Sequence, residues 1–161
     1  MGVRAICPGT FDPVHFGHLD IFERSSAMFE ELIIAVYDHG KPIKKVLFSA
    51  ETRVKLIEQN TAHLPNVRVM TYSGMTADFA SAVGAKAIVR GLRVFSDFEF
   101  EFRMSLITHR LAPEVEYLTL MTREEHMFLS GTMVREIASL HGDVSQMVPE
   151  NVQQALAAAY S

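Results

Sequence analysis

The chain has 161 residues, of which 48% are hydrophobic and 21% are charged, and its formal net charge is −4 at pH 7. This length and composition can supply the core of one domain and exclude an intrinsically disordered protein. The acidic balance argues against a general nucleic-acid or membrane-surface binder, because such proteins usually carry a basic excess. Any anion site is therefore expected to be local.

Two further sequence features suggest a location. The single cysteine, Cys7, cannot form an intramolecular disulfide, and its place at the end of an apolar run favours a small buried residue over a reactive thiol. No apolar run approaches the roughly 18 residues that span a bilayer, and no charged-then-apolar signal segment opens the chain. We therefore expect a cytoplasmic protein that does not bind a membrane.

Apolar runs and helical segments alternate along the chain. The apolar runs predict strands at residues 3–7, 32–37, 67–72, 86–90 and 115–121. Helical spacing, caps and breakers predict helices at 18–29, 50–63, 76–83, 96–111, 130–139 and 150–160. Ser49 and Ser130 are the predicted caps of two of these helices, and Ser96 with Glu99 fits a capping box for the long one.

This alternation predicts a single α/β domain over residues 1–161, a doubly wound, Rossmann-like five-stranded parallel sheet with helices on both faces. In such sheets, ligands bind beyond the carboxyl ends of the strands. Four loops follow strands at that edge: residues 8–17, 38–47, 90–96 and 122–130. The first three hold most of the histidine, lysine and arginine outside helices, which predicts an anion site there.

The turn between the first strand and the first helix carries the strongest motif, CPGTFDPVHFGH at residues 7–18. Gly17 lets the backbone approach a ligand, and the helix start presents free N–H groups beside the imidazoles of His15 and His18. A helix cap or half of a metal site is the alternative interpretation of the two histidines. The chain has neither a G-x-G-x-x-G fingerprint nor a Walker loop, which argues against a dinucleotide dehydrogenase and a Walker-type NTPase.

The Gly-Thr-Phe-Asp-Pro turn followed by His-x-Gly-His resembles the signature of the HxGH nucleotidyltransferase superfamily. With the segments at 88–93, 97–101 and 128–136, the chain resembles bacterial phosphopantetheine adenylyltransferases over nearly its whole length. The resemblance implies transfer of the adenylyl group of ATP to 4′-phosphopantetheine, giving 3′-dephospho-coenzyme A and pyrophosphate. It also implies Mg²⁺ carried by ATP without protein ligands, a homohexamer, and inhibition by product or coenzyme A.

The resemblance also assigns residue roles. His18 would stabilise the transferring phosphate with help from His15, a position where relatives often have threonine. The implied acceptor-binding residues are Thr10, Lys44, Thr76 and Arg90, with Lys41 as the alternative to Lys44. The implied ATP-binding residues are Thr10, Phe11, His18, Gly91, Leu92, Arg93, Glu101, His126, Met127, Phe128, Leu129, Ser130, Gly131 and Thr132. Gly131 stands where relatives usually have a second serine.

Each assignment has a structural alternative. Arg90 and Arg93 could form surface ion pairs, Glu101 could be an ordinary helix carboxylate, and Ser130 a mere cap. Another phosphorylated acceptor, such as nicotinamide mononucleotide or glycerol phosphate, would suit the same chemistry. A nucleotide-binding sensor without turnover is the remaining alternative, favoured only by Gly131. Phe98, Phe100 and Phe102 are candidates for an assembly surface, and Met75 is expected to pack in the core.

Overall fold

One parallel sheet forms the centre of the molecule in a computed structural model that describes residues 2–40 and 45–161. Its strands are, in chain order, β1 (Arg4–Gly9), β2 (Glu31–Tyr37), β3 (Val67–Tyr72), β4 (Ala87–Leu92) and β5 (Glu116–Met121). They lie in the order β3-β2-β1-β4-β5, and every neighbouring pair is parallel. The predicted doubly wound sheet is confirmed.

Helices cover both faces of the sheet. They are α1 (Phe16–Ser26), α2 (Ala50–Thr61), α3 (Thr76–Ala82), α4 (Phe95–Leu111), α5 (Gly131–Ser139) and α6 (Glu150–Ala159), with a 3₁₀ turn at Glu124–His126. Successive strand residues point to opposite faces. Ala5 and Cys7 therefore pack with α1, α2, α5 and α6, while Ile6 packs with α3 and the end of α4. None of the helices in the described parts of the chain is both long and apolar enough to cross a bilayer.

The two central strands separate after a short contact. β1 pairs with β2 along its whole length, to Gly9 opposite Val36, but with β4 only at two positions, Ala5 opposite Ala87 and Ile6 opposite Ile88. Because the chain winds outward in opposite directions from this strand pair, their carboxyl ends bound a crevice at the switch point of the sheet.

Several predicted boundaries are wrong. α1 spans Phe16–Ser26 instead of residues 18–29, because His15 caps its start, and β4 continues to Leu92 instead of ending at residue 90. β1 runs two residues past Cys7, because Pro8 lies where β1 has left β4 and its missing N–H costs no ladder bond. α4 begins at Phe95 rather than after a Ser96 cap. The carboxylate of Asp97, not that of Glu99, accepts the N–H groups of the preceding turn, since Asp97 is also held by Arg93.

The predicted Ser49 and Ser130 caps are confirmed. The hydroxyl of Ser49 accepts the N–H of Thr52, and that of Ser130 accepts the N–H of Met133, each at 3.1 Å. Met75 differs from its prediction, because half of its surface is exposed instead of packed in the core. Its exposure follows from its place before α3, just beyond the last β3 residue.

Candidate active site

A cleft of about 390 Å³ occupies the crevice between the ends of β1 and β4. All four predicted loops contribute to its wall. Its lining side chains and turns include Thr10, Phe11, His15, His18, Lys45, Arg90, Gly91, Arg93, Glu101, Thr122, His126, Ser130, Gly131, Thr132 and Arg135. The cleft therefore gathers segments that are distant in sequence at the edge where a doubly wound sheet binds its ligands.

His15 and His18 cap helix α1 by a reciprocal pair of hydrogen bonds. Nδ1 of His15 accepts the N–H of His18 at 3.3 Å, and Nδ1 of His18 accepts the N–H of His15 at 3.2 Å. The two rings stack with their centroids 3.6 Å apart. Because Nδ1 acts as acceptor in each neutral ring, the proton lies on Nε2. The helix start thus presents N–H donors from imidazole as well as from the backbone.

Both imidazoles are neutral at pH 7. Burial, reinforced by the charges of Arg93 and His126, lowers the pKa of His15 to about 3. Burial also lowers the pKa of His18 well below 6.5, with further contributions from His15, Arg90 and Arg93. A neutral ring with its proton on Nε2 can donate a hydrogen bond to an anion without first having to take up a proton.

Phe11 fixes the turn between β1 and α1. Its φ of 52° lies in the left-handed region, which is uncommon for a residue with a side chain. Its ring meets His18 and Phe22 edge-on, with centroids 4.9 and 5.2 Å away. Packing against these two rings holds the strained backbone in place, so the main chain of Thr10 and Phe11 faces the cleft in one conformation.

Arg90 is fixed at three of its five N–H groups. Its Nε and Nη2 each lie within 3.1 Å of Oε1 of Glu101, and its Nη1 donates to the carbonyl of Pro8 at 2.5 Å. The Glu101 side chain is buried, whereas 30% of the Arg90 side chain is exposed. Within the described residues, one N–H on each terminal nitrogen keeps no protein acceptor, which leaves a fork for an anion.

Arg93 repeats this arrangement on the other side of Gly91. Its Nε and Nη2 pair with the carboxylate of Asp97 at 3.1 and 3.4 Å, and its Nη1 donates to the carbonyl of Leu129 at 2.6 Å. Burial alone would raise the pKa of Asp97, but the hydrogen bonds and charge of Arg93 hold that pKa below its usual value. The cleft therefore holds two guanidinium groups that are oriented by carboxylates before any ligand binds.

The N-terminus of α5 closes the cleft. The peptide groups of Ser130, Gly131 and Thr132 lie at this helix start, which favours negative charge. A Cβ atom at Gly131 would lie 2.9 Å from the carbonyl oxygen of Asp12, so a larger residue would need the main chain to move. The guanidinium of Arg135 donates to that same carbonyl and lines the cleft.

Asp12 and Arg53 hold the loop that precedes α2, and neither is among the residues predicted to bind a substrate. The carboxylate of Asp12 accepts the N–H groups of Leu47 at 2.7 Å and Phe48 at 2.9 Å. The buried Arg53 donates to the carbonyls of Thr10 at 2.7 Å and Phe48 at 3.0 Å. Lys45 of this loop lines the cleft, while Lys41 and Lys44 lie outside the described residues.

Comparisons with known proteins identify the family of this chain. Residues 6–137 match a family model described as cytidylyltransferase-like. A phosphopantetheine adenylyltransferase of Roseiflexus is 49% identical over 97% of this chain and 96% of its own. One of Thermomicrobium roseum is 48% identical over 97% of this chain and 94% of its own. This chain belongs to the phosphopantetheine adenylyltransferase family.

The fold of this adenylyltransferase recurs in more distant proteins. A solved bifunctional NMN adenylyltransferase and ADP-ribose pyrophosphatase of Francisella tularensis, in complex with AMP and manganese, is 19% identical with a TM-score of 0.72. That alignment covers 98% of this chain and 49% of the other, so the chain spans about half the length of that protein. At this identity the likeness concerns the fold alone.

Some residues that the resemblance assigned to the adenylyltransferase site do not line the cleft. Leu92, Met127, Phe128 and Leu129 are absent from its wall, although the carbonyl of Leu129 orients Arg93. Thr76 lies at the start of α3, where its hydroxyl is 2.9 Å from that of Tyr72. Their implied contacts with substrates stay predictions.

Protein groups already engage the carboxylates of the cleft. No cluster of three or more metal-ligating side chains occurs within residues 2–40 and 45–161. The three acidic side chains of the cleft, Asp12, Asp97 and Glu101, already accept hydrogen bonds from arginines or backbone N–H groups. Cys7 also lines the cleft, but burial raises the pKa of its thiol to about 12, as expected for a residue that packs rather than reacts.

Proposed function

We propose that this chain carries out the reaction of its family in the cleft between β1 and β4. A phosphate oxygen of 4′-phosphopantetheine attacks the α-phosphorus of ATP, the bond to the β-phosphate breaks, and 3′-dephospho-coenzyme A and pyrophosphate leave. The observation that carries this proposal is the pair of oriented guanidinium forks, Arg90 and Arg93, beside His18 in one cleft. Two phosphate-bearing substrates require two such positions.

His18 acts on the transferring group. Its Nε2–H donates to an oxygen of the α-phosphate and stabilises the charge that develops there as the acceptor attacks. His15 orients the His18 ring through the reciprocal cap and ring stacking. Because the donor is part of a helix cap, it stays in place through the reaction and needs no reorganisation.

The two forks divide the substrates between them. Arg90 binds the phosphate of 4′-phosphopantetheine, together with Thr10 and the lysines of the loop before α2, of which Lys45 lines the cleft. Arg93 and the N–H groups of Ser130, Gly131 and Thr132 bind the phosphates of ATP. Glu101 and Asp97 contribute by holding the two arginines.

Alignment and charge neutralisation account for catalysis in this proposal. ATP brings Mg²⁺ as part of the substrate, and the ion neutralises phosphate charge. No covalent intermediate with the protein forms, which agrees with the high pKa of the Cys7 thiol. The chain's own groups bring the acceptor oxygen in line with the leaving pyrophosphate.

We further propose a homohexamer in the cytoplasm, inhibited by product or coenzyme A. A product whose phosphate groups lie at both proposed phosphate positions would bind the guanidinium groups of both Arg90 and Arg93. The exposed faces of Phe95, Phe98 and Phe102 on α4 support assembly, because rows of exposed phenylalanine are unusual on a free surface.

The decisive experiment measures pyrophosphate release from ATP with 4′-phosphopantetheine, nicotinamide mononucleotide or glycerol phosphate as acceptor. We expect release with 4′-phosphopantetheine and background rates with the other two. Release with another acceptor alone would replace the proposed substrate. ATP binding without release on any acceptor would identify a nucleotide sensor instead.

His18→Ala tests the catalytic donor. We expect the turnover number to fall a few hundredfold, a loss of roughly 3–4 kcal/mol in transition-state stabilisation, since one preoriented donor is removed. His63→Ala is the matched control, because His63 is exposed, does not line the cleft, and within the described residues forms a side-chain hydrogen bond only with Glu23. Near wild-type turnover in His18→Ala, measured with the fold intact by circular dichroism, would contradict the assignment.

A further inference from the structure

Tyr117 and Arg90 lie on the same face of the sheet. Tyr117 stands opposite Ile88, and Arg90 stands opposite Thr119, in the parallel register of β4 and β5. Residues two apart on a strand, and residues paired across strands, point to the same face. Helix α4 covers this face and places Glu101 between the two side chains.

Glu101 is held by side chains alone within the described residues. Its Oε1 accepts Nε and Nη2 of Arg90, and its Oε2 accepts the hydroxyl of Tyr117 as well as Nε of Arg90 at 3.3 Å. Asp97, which orients Arg93, is held differently, because it also accepts the backbone N–H groups of Arg93 and Val94. Without Tyr117, the Glu101 carboxylate would have Arg90 as its single anchor.

We propose that Tyr117 is a positioning residue for the acceptor phosphate: its hydroxyl fixes Glu101, and Glu101 fixes the fork of Arg90. This inference rests on the proposed function, in which Arg90 binds 4′-phosphopantetheine. It assigns to β5 a part in acceptor binding, although Tyr117 does not line the cleft.

The tyrosine suits this task for two reasons. Its ring packs against the apolar cluster of Ile88, Ala112 and Val115, so the hydroxyl has little freedom to move. Burial, and then the hydrogen bond to Glu101, raise the pKa of Tyr117, which keeps the hydroxyl protonated as a donor across the working pH range.

Tyr117→Phe removes only the hydroxyl and keeps the ring. Tyr160→Phe is the matched control, because Tyr160 follows the last residue of α6, lies outside the cleft, and has no side-chain hydrogen bond among the described residues. Calorimetric titration of each variant with 4′-phosphopantetheine, with unphosphorylated pantetheine and with ATP separates the contributions. For Tyr117→Phe we expect about tenfold weaker binding of 4′-phosphopantetheine, the effect of loosening one charge-assisted contact.

The same variant should bind ATP and pantetheine within about twofold of the wild type, since neither depends on the Arg90 fork in this proposal. In steady-state assays the KM for 4′-phosphopantetheine should rise while kcat stays close to the wild-type value. A purely structural role would weaken all three ligands together.

Unchanged 4′-phosphopantetheine binding, or equal losses for ATP and 4′-phosphopantetheine, would overturn the inference. Should Tyr117→Phe not fold, Glu101→Gln tests the same link, because it removes the charge that orients Arg90, and the same selective loss is expected. Pyrophosphate release by the wild type distinguishes a failure of the proposed function from a failure of the positioning role of Tyr117. If the wild type releases pyrophosphate and Tyr117→Phe binds all ligands normally, the positioning role alone fails.

Discussion

The smallest structural unit of the cleft is the pair His15 and His18. Each ring caps the backbone of the other residue, and burial keeps both rings uncharged. A helix cap usually comes from a serine, threonine or aspartate side chain. Here the capping atoms belong to imidazoles whose other nitrogen carries a proton, so one pair of side chains both starts α1 and supplies a hydrogen-bond donor to the cleft.

The low pKa of His15 predicts an acid-sensitive fold. The pKa is about 3 in the folded chain and about 6.5 when unfolded, so the unfolded chain binds more protons between these values. The contribution of His15 to stability is therefore complete above pH 6.5 and is lost as the pH falls, by about 1.4 kcal/mol per pH unit. His15→Asn keeps a capping acceptor and removes the titration.

Urea unfolding between pH 4.5 and 7 measures this effect. The free energy of unfolding should fall less steeply toward acid in His15→Asn than in the wild type. Equal slopes in the wild type and His15→Asn would show that His15 is not held neutral by the fold.

At the scale of secondary structure, α2 and α5 begin in the same way and serve different purposes. Both start with a serine whose hydroxyl accepts the third helical N–H at 3.1 Å. Ser49 is exposed and does not line the cleft, whereas Ser130 lies in the cleft wall. The local sequence signal for the two caps is the same, so only the tertiary fold decides which helix start can meet a ligand.

Substituting these two caps separates stability from binding. Ser49→Ala and Ser130→Ala should each lower the free energy of unfolding by about 1 kcal/mol, because each loses one capping bond. Only Ser130→Ala should raise the KM for ATP, which a pyrophosphate-release assay at saturating 4′-phosphopantetheine measures. An equal change in the KM for ATP in both variants would remove the α5 terminus from the proposed ATP site.

At the scale of the whole molecule, a row of phenylalanines on α4 is left uncovered by contacts within the described chain. Phe95, Phe98 and Phe102 are 90, 51 and 52% exposed. Their rings stack in sequence, with centroids 6.3 Å apart for the first pair and 5.8 Å for the second. Phe100 is also exposed but touches the cleft wall, so the proposed assembly face and the proposed binding face lie on one helix.

The aromatic row predicts that assembly depends on α4. Phe98→Asp should convert the proposed hexamer into smaller species, because a carboxylate would be buried in an apolar contact. Sedimentation velocity measures the change. Met28→Asp alters an exposed apolar residue on another part of the surface and should leave the sedimentation coefficient unchanged. An unaltered coefficient in Phe98→Asp would place the subunit contact elsewhere.

Much of this architecture is predictable from local patterns in the sequence. Continuous apolar runs such as residues 32–37 indicate strands buried on both faces, and the strand-end rule brings the HxGH turn, Arg90 and Ser130 to one edge. The contacts that orient the arginines are not predictable in this way. Arg93 finds the carbonyl of Leu129, a partner 36 residues away, only after the sheet has formed.

Competition between neighbouring groups also limits prediction. Ser96 and Glu99 fit a capping box, but Glu99 pairs with Arg103 while Asp97, held by Arg93, takes the cap. For Arg53 a signal was present: it shares the spacing of Leu56 and Ile57, the buried stripe of α2. A charged residue on an apolar stripe indicates buried carbonyl partners, which Arg53 has.

The early separation of β1 from β4 has a mechanical consequence. Past Ile6 and Ile88, no strand ladder joins the two halves of the sheet, and the carbonyl of Pro8 is bound by the Arg90 side chain instead of by a backbone N–H. A ladder of backbone hydrogen bonds would fix the distance between the ends of β1 and β4, whereas the Arg90 side chain can change its rotamer. Any ligand that moves Arg90 therefore also changes the distance between the two halves of the sheet, one of which carries His18 and the other Arg93.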